Sequence, residues 1–261
     1  SKLVSSGGPI TQDNTGVEYY ATIFAVDESP LQEGLIWVGS DDGLIHLTKD
    51  GGATWENVTP KKMPDWMMIN SIDASSFDSG TAYIAGTRYK LGDFTPYLYV
   101  TDDYGKNWKL ITDGIKDEHF TRVLRSDKVN KNILYAGTET GMYISYDRGN
   151  SWNEFQKNLP IVPITDLTIK DNSLIVATQG RSIWMIDDLT VFHQLTPSTD
   201  QIKLYKPKDS YRMGGAGGRK SLTAGTNLPN GAIIHYFIPN YDKENDQVSL
   251  SIHSADGTLI K

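Results

Sequence analysis

Residues 101–108 read Thr-Asp-Asp-Tyr-Gly-Lys-Asn-Trp, and two further segments repeat this pattern. They are residues 48–55, Thr-Lys-Asp-Gly-Gly-Ala-Thr-Trp, and residues 145–152, Ser-Tyr-Asp-Arg-Gly-Asn-Ser-Trp. The shared form is Ser/Thr-x-Asp-x-Gly-x-(Ser/Thr/Asn)-Trp, and we call each segment a box. One match arises by chance in on the order of one chain in a thousand, so three matches indicate an internal repeat.

The sequence around the boxes repeats as well. Two apolar segments separated by a short polar loop precede each box, as at 35–40 and 44–47 before the first. A fourth copy, at 174–178 and 182–188, keeps the apolar segments but lacks the Gly and the Trp. The box aspartates and Asp188 follow one another at intervals of about 40 to 50 residues, which is typical of a four-stranded propeller blade.

The pattern therefore predicts an all-β fold of four four-stranded propeller blades within residues 20–196, forming part of a larger ring. The innermost strands are predicted at 21–26, 70–74, 121–126 and 165–170, and the outermost strand of each blade begins at the box Trp. Residues 1–19 are interpreted as a lead-in from a preceding segment. Residues 197–231, rich in Gly, Pro, Ser and Lys, are predicted to be a linker, and 232–261 the start of a truncated immunoglobulin-like β-sandwich.

The residue types of the box suit a tight turn between two strands. An Asp carboxylate accepts backbone N–H bonds across a turn, a Ser/Thr hydroxyl closes a second local bond, and Gly adopts positive φ. The Trp ring then packs between neighbouring sheets. We therefore interpret these positions as structural: Thr48, Asp50, Gly52, Trp55, Thr101, Asp103, Gly105, Trp108, Ser145, Asp147, Gly149 and Trp152.

Composition excludes several classes of function. The 261 residues include 25 Lys and Arg against 32 Asp and Glu, a net charge of −7, which disfavours nucleic acid as a partner. No apolar run approaches the roughly 18 residues of a membrane span. The chain has no cysteine, and its five histidines lack metal-ligand spacing, so we expect no disulfide, metal or cofactor.

The boxes resemble the Asp-box, or bacterial neuraminidase (BNR), repeats of sialidases, two-propeller xyloglucanases, photosystem II assembly propellers and sortilin-type receptors. The chain is most similar to large secreted bacterial proteins with sortilin-like propellers, often described as glycosyl-hydrolase-like. The resemblance implies a propeller exported to the periplasm, the cell surface or the medium. It does not select one function, because these blades occur in hydrolases, receptors and assembly factors.

Chain direction places the loops between the second and third strands, and the connections between blades, at the end of each blade opposite the boxes. Propeller ligands usually bind at that end. The residues predicted to bind a ligand there are Trp66, Arg88, Tyr89, Lys90, Gln179 and Arg181. The carboxylates available for hydrolysis are Asp41, Asp42, Asp65, Asp93, Glu118 and Glu139.

Two functions remain open on the sequence. The first is a non-catalytic binding or scaffolding propeller segment of a larger exported protein, with a polypeptide or a glycan as ligand. The alternative is a fragment of a glycoside hydrolase, xyloglucanase-like or related, that uses paired carboxylates. Sialidase chemistry is disfavoured because no Phe/Tyr-Arg-Ile-Pro motif precedes the boxes. An open arc of blades would also expose apolar faces, which predicts self-association.

Overall fold

The computed structural model describes residues 21–195, 200–211 and 231–261. The predicted lead-in, 1–19, lies outside the described residues, as does most of the predicted linker. The chain divides after Leu189 into two compact units.

The first unit contains four antiparallel sheets, and its strands are consecutive in sequence and in space. Sheet 1 comprises β1 (Ile23–Glu28), β2 (Ile36–Ser40), β3 (Ile45–Thr48) and β4 (Glu56–Asn57). Sheet 2 comprises β5 (Met68–Ala74), β6 (Ala82–Arg88), β7 (Asp93–Thr101) and β8 (Lys109–Leu110). Sheet 3 comprises β9 (Thr121–Ser126), β10 (Leu134–Thr138), β11 (Gly141–Ser145) and β12 (Asn153–Glu154). Sheet 4 comprises β13 (Ile164–Lys170), β14 (Ser173–Thr178) and β15 (Ile183–Ile186).

This arrangement confirms the all-β propeller class predicted from the repeat. In the described residues sheet 4 has three strands, and the short helix α1 (Thr190–Gln194) comes next along the chain, so the fourth strand predicted for this blade is not found there. The box chemistry is missing at this point of the chain. Asp188 instead accepts a hydrogen bond from the Asn172 side chain at 2.8 Å, and no Gly–Trp pair follows to start an outer strand.

Sheets 1 and 2, and sheets 2 and 3, each enclose an apolar core. Between sheets 1 and 2, the fully buried Trp37, Ile45 and Leu47 pack with Ile69 and Ile84. Between sheets 2 and 3, the core includes Tyr83, Leu98, Leu124, Tyr143 and Trp152. Burying such side chains stabilises the fold by about 1.5–3 kcal/mol each, so most of the stabilisation comes from contacts between sheets.

Charged side chains on the innermost strands join neighbouring sheets by hydrogen bonds. Asp27 of sheet 1 accepts the backbone N–H of Ala74 in sheet 2 at 2.7 Å, and burial raises the pKa of Asp27. Asp73, which is buried, accepts both the backbone N–H and the hydroxyl of Ser126 in sheet 3. Arg125 of sheet 3 donates to the Leu167 carbonyl of sheet 4 at 2.9 Å.

The three boxes form the same hydrogen-bonded turn. In the second box, the Thr101 hydroxyl donates to Asp103 Oδ1 at 2.9 Å and accepts the Gly105 N–H at 2.9 Å. Asp103 Oδ1 also accepts the Asn107 N–H at 2.9 Å, and Oδ2 accepts the Asn107 side chain at 2.7 Å. The first box has the same bonds among Thr48, Asp50, Gly52 and Thr54, and the third among Ser145, Asp147, Gly149 and Ser151.

The second and third boxes also touch the preceding sheet. Trp108 donates its indole N–H to the Val58 carbonyl at 2.7 Å, and Trp152 donates to the Ile111 carbonyl at 2.7 Å. A side chain on Gly105 would stand 2.6 Å from Val58, and φ there is +79°, so both space and backbone require glycine. Among the described residues, the Trp55 indole of the first box donates within its own turn, to the Gly52 carbonyl, and 46% of its surface is exposed.

The second unit has one short strand pair in its described residues, β16 (Lys203–Leu204) with β17 (Tyr236–Phe237). Residues 248–253, expected to form a strand of the β-sandwich, contribute only an isolated bridge between His253 and Leu259. The immunoglobulin-like interpretation of this segment stays a prediction.

Replacing Asp103 with Ala should lower the melting temperature by a few degrees, because it removes the acceptor for the Asn107 and Thr101 hydrogen bonds. Side-chain bonds of this kind contribute about 1 kcal/mol. Thermal unfolding monitored by circular dichroism measures the effect, and Asp117→Ala, at an exposed site between sheets 2 and 3, is the control. Equal melting temperatures for the two variants would remove the structural role of the box.

The pKa of Asp50 is lowered to about 2, first by the hydrogen bond from the Thr54 hydroxyl and then by the Thr54 backbone N–H. The ionised carboxylate therefore stabilises the fold above the pKa of an unfolded Asp, about 3.9, and this contribution is lost as pH falls toward 2. We expect Asp50→Asn to lose less stability than the parent chain between pH 4 and pH 2 in urea titrations. Parallel stability curves for the two proteins would contradict this assignment.

Candidate ligand-binding site

The two ends of the sheets differ in what they carry. At one end, the boxes bond to the turn between the first two strands, as Tyr104 N–H does to the Gly80 carbonyl at 2.9 Å. At the other end, the loop between the second and third strands bonds to the connection between sheets, as Glu139 N–H does to the Phe120 carbonyl at 3.0 Å. We call this second end the loop end. All the residues predicted to bind a ligand or act as catalytic carboxylates lie in its loops or at the strand termini beside them.

The β6–β7 hairpin is the largest feature of the loop end. It continues past the sheet through a 3₁₀ turn at Tyr89–Leu91, which ends at Gly92 with φ of +73°. Strand β7, with nine residues, is the longest in the described part of the chain. The insertion places aromatic and charged side chains beyond the sheet.

Arg88 and Asp93 fix the base of this hairpin. They face each other in the strand register, and their side chains form an ion pair at 2.5 Å. Arg88 Nε also donates to the Asp65 carbonyl at 3.0 Å, and Tyr97 donates its hydroxyl to Asp93 Oδ2 at 2.9 Å. Burial alone would raise the pKa of Asp93, but the hydrogen bonds from Thr95, Tyr97 and Arg88 outweigh burial and lower it.

An aromatic cluster lies beside the hairpin. The Tyr89 ring stacks on Phe120, with centroids 5.3 Å apart and planes 16° apart, and Phe94 contacts Phe120 at 5.9 Å. The Arg122 guanidinium lies 5.3 Å from the Phe120 centroid and 5.8 Å from that of Tyr89. Arg122 is itself paired with Glu139 at 2.5 Å. Phe120 is buried, whereas 47% of Phe94 is exposed, so the cluster offers an apolar surface on a rigid base.

The structure brings four of the predicted ligand-binding residues together. Trp66, Arg88, Tyr89 and Lys90 line one crevice with Met68 and Leu91. Gln179 and Arg181 do not join them, because both lie in the β14–β15 loop of sheet 4, where Gln179 N–H bonds to the Pro163 carbonyl. The sequence analysis did not select Phe94, Phe120 or Arg122 for this site. The signal was present in the extra length of the second repeat, whose loop contains Phe94.

Most of the predicted catalytic carboxylates have structural partners. Asp41 accepts the Thr22 N–H at 2.8 Å, and Asp42 is buried and accepts the Ser40 hydroxyl. Asp93 and Glu139 are paired with arginines. Asp65 contributes its carbonyl to Arg88, and Glu118 is an exposed residue with φ of +67°. A glycosidase acid needs a raised pKa, so the lowered pKa of Asp93 opposes that role.

A second concavity of about 320 Å³ adjoins the connection that carries Phe120. Its lining includes Lys116 and Glu154, which form an ion pair, and His119, whose Nδ1 lies 2.8 Å from the Tyr143 hydroxyl. Ile161, with 77% of its surface exposed, adds an apolar wall. The cavity therefore combines both charges with an apolar contact surface.

In the described residues no group of three or more histidine, aspartate or glutamate side chains is placed to hold a metal ion. None of the helices described is long and apolar enough to cross a membrane.

Comparison with known proteins finds a partial match to one family model and a similarity of fold to solved propeller structures. The family model described as "Sortilin, neurotensin receptor 3" matches residues 96–212, less than half of the 261 residues. No curated protein sequence matches the chain.

Solved structures of propellers are similar in fold at low identity. The structure titled "YCF48 bound to D1 peptide" has a TM-score of 0.50 and 21% identity over 64% of this chain, which spans 52% of that structure. The GH74 enzyme of Niastella koreensis has a TM-score of 0.48 and 18% identity over 63% of this chain and 22% of its own. The GH74 xyloglucanase of Xanthomonas campestris has a TM-score of 0.49 and 15% identity over 72% of this chain and 32% of its own. The chain thus spans about half or less of these structures.

Replacing Arg88 with Ala should raise the pKa of the Asp93 carboxyl toward its ordinary value, because a charged donor 2.5 Å away is removed. The titration of Asp93, followed by NMR in the parent chain and the variant, measures the shift. Lys90→Ala, which removes a neighbouring positive charge on the same turn, is the control and should change this pKa less. An unchanged Asp93 titration in Arg88→Ala would mean that the ion pair does not form in solution.

Proposed function

We propose that this chain is a non-catalytic binding segment of a propeller that holds a polypeptide at the loop end of sheets 2 and 3. The observation that carries the proposal is the cluster of Tyr89, Phe94 and Phe120 under the Arg122 guanidinium. Aromatic and arginine side chains on a rigid base, surrounded by polar groups, are the usual energetic centre of a protein-binding surface.

The geometry favours a polypeptide over a glycan. Sugars are commonly held by a flat aromatic face together with free hydrogen-bonding groups, but one face of Tyr89 is covered by Phe120. The polar groups nearby, Arg88 with Asp93 and Arg122 with Glu139, already satisfy one another. The exposed part is mainly the apolar Phe94 ring, which suits the side chain of a peptide.

The same pairing argues against the hydrolase alternative. A glycoside hydrolase needs one carboxyl with a raised pKa and a second that is placed to act as base or nucleophile. At this site the two nearest carboxylates serve as partners of arginines, and the pKa of Asp93 is lowered. The reaction would therefore have to break the ion pairs that these two carboxylates form.

Two further points support the proposal without deciding it. A propeller of similar fold, YCF48, binds a peptide of D1, which supports a polypeptide as the ligand here. The partial match to the sortilin family supports an exported protein, and we propose that this chain acts in the periplasm, at the cell surface or in the medium. Carbohydrate binding is the alternative that the experiment below tests.

Peptide arrays screened with the purified chain should identify binders, and the affinity of the strongest should fall at least fivefold in Phe94→Ala. Truncating an aromatic anchor at the centre of such a surface costs more than about 1 kcal/mol. Phe77→Ala is the matched control, because Phe77 is also an exposed phenylalanine, at 41%, but lies at the box end. Isothermal titration calorimetry of both variants measures the difference.

Glycan arrays and a reducing-sugar assay on the same preparation test the alternatives. Equal peptide affinity in the two variants would overturn the assignment to the aromatic cluster. Sugar release that disappears in Asp93→Asn or Glu139→Gln would replace the proposal with the hydrolase.

A further inference from the structure

Within the described residues, two faces of the first unit are largely exposed, one at each end of the row of sheets. Substantial packing between the described strands joins sheet 1 to sheet 2, sheet 2 to sheet 3 and sheet 3 to sheet 4, but not sheet 4 to sheet 1. On the outer face of sheet 1, Ile23 is 62% and Val26 is 61% exposed. On the outer face of sheet 4, Ile183 is 70% and Met185 is 56% exposed.

The strand registers show that these faces are the two halves of one repeated interface. Ile23 pairs with Ser40 and Val26 with Val38, which are the places that Ile69 and Ile72 occupy in sheet 2. Ile69 and Ile72 are 0% and 5% exposed, because sheet 1 covers them. The outer face of sheet 1 is therefore a surface of the type that accepts a preceding sheet.

Sheet 4 carries the complementary half. Ile183 pairs with Ala177 and Met185 with Ile175, as Ile45 and Leu47 pair with Gly39 and Trp37 in sheet 1. In sheet 1 this face is buried against sheet 2, with Ile45 at 0% and Leu47 at 1% exposure. The outer face of sheet 4 is therefore a surface of the type that covers a following sheet.

We propose that two copies of this chain associate head to tail, with sheet 4 of each copy covering sheet 1 of the other, and so close a ring of eight blades. A contact between unlike faces closes only when the rotation completes a circle. Propellers usually have four to eight blades, so two four-sheet arcs reach the upper end of that range and three exceed it. A second copy of these four sheets would cover both exposed faces at once.

The area available is sufficient for a stable pair. Three strands spaced about 4.8 Å apart, and about five residues long at 3.3 Å each, give a flat face of roughly 250 Å². Two interfaces cover four such faces, roughly 1,000 Å² before the relief of side chains is counted, and specific interfaces begin near this size. Since sheet 4 has three strands in the part of the chain that the structure describes, those three strands form the contact.

The repeat also identifies a specific pair of residues across the interface. A Cβ on Gly39 would lie 2.7 Å from the Cβ of Ile69, and one on Gly137 would lie 2.8 Å from that of Ile164. The equivalent positions in the proposed pair are Ala177 of one copy and Ile23 of the other. Ala177 carries a methyl group at the position where sheets 1 and 3 have glycine. Sheet 4 of one copy and sheet 1 of the other must therefore lie slightly farther apart than the sheets within one copy.

Light scattering coupled to size exclusion, over a range of concentrations, tests the association. We expect a species of twice the 29.0 kDa chain mass. Ile183→Asp and Val26→Asp should each weaken the dimer at least tenfold without unfolding the monomer, because both positions are exposed within one chain. Val129→Asp, at a position 65% exposed on a turn at the box end, is the matched control and should dimerise normally.

Mixing the two interface variants tests the head-to-tail geometry. A copy with Val26→Asp keeps an intact sheet 4, and a copy with Ile183→Asp keeps an intact sheet 1, so the mixture should form more dimer than either variant alone. Because the chain has no cysteine, a double variant with Ile23→Cys and Ala177→Cys should form an intermolecular disulfide on oxidation. Ile23→Cys with Val129→Cys is the control and should cross-link far less.

Four results would overturn the proposal. A monomer at all accessible concentrations would show that the faces do not associate, and long open-ended assemblies would show that the ring does not close. Failure of the mixture to recover dimer, or equal cross-linking of the two cysteine pairs, would show that the faces in contact are not sheet 4 and sheet 1.

Discussion

The structure depends on one constraint: a small antiparallel sheet with apolar side chains on both faces must be covered on both faces. Sheets 2 and 3 meet this condition within the first unit, since each lies between two others. The buried Tyr83 on one face of sheet 2 and the buried Ile84 on the other illustrate it, because neighbours along β6 pack against different sheets. Strand pairing alone would leave these side chains in water, so each sheet is stable only in the row.

The boxes and the buried charges fix how consecutive sheets fit. The box turns the chain from the third strand to the fourth, and its Trp and Gly then contact the preceding sheet, as Trp108 and Gly105 do at Val58. Asp27 and Asp73 act at the inner strands, where each accepts a backbone N–H of the next sheet. The loop end has neither the boxes nor these buried aspartates, and its β6–β7 hairpin carries part of the aromatic cluster.

The fold was predictable from the sequence because the boxes are local: each repeats the same hydrogen bonds within eight residues. Features that depend on contacts between repeats were not predictable from the sequence. The carboxylates of Asp27 and Asp73 have no sequence signature, and Phe94 and Phe120 meet only because two loops share one end of the sheets. A sequence alignment of the repeats would place Gly86 opposite Gly39. The strand register instead pairs Ala82 with Thr101 as it pairs Ile36 with Thr48. Ala85 therefore occupies the position equivalent to Gly39. Because β6 is buried on both faces, its sequence pattern does not reveal a one-residue offset, and only the strand pairing shows it.

Native-state hydrogen exchange, measured at low and at high protein concentration, tests the central claim that sheet coverage determines stability. At low concentration, amides of β6 and β10 should exchange slowest, and amides of β2 and β14 should exchange faster because their sheets have an open face. Raising the concentration should slow exchange in β2 and β14 alone. Equal protection in all four sheets at low concentration would contradict the account, because it would mean that the end sheets are stable without a cover.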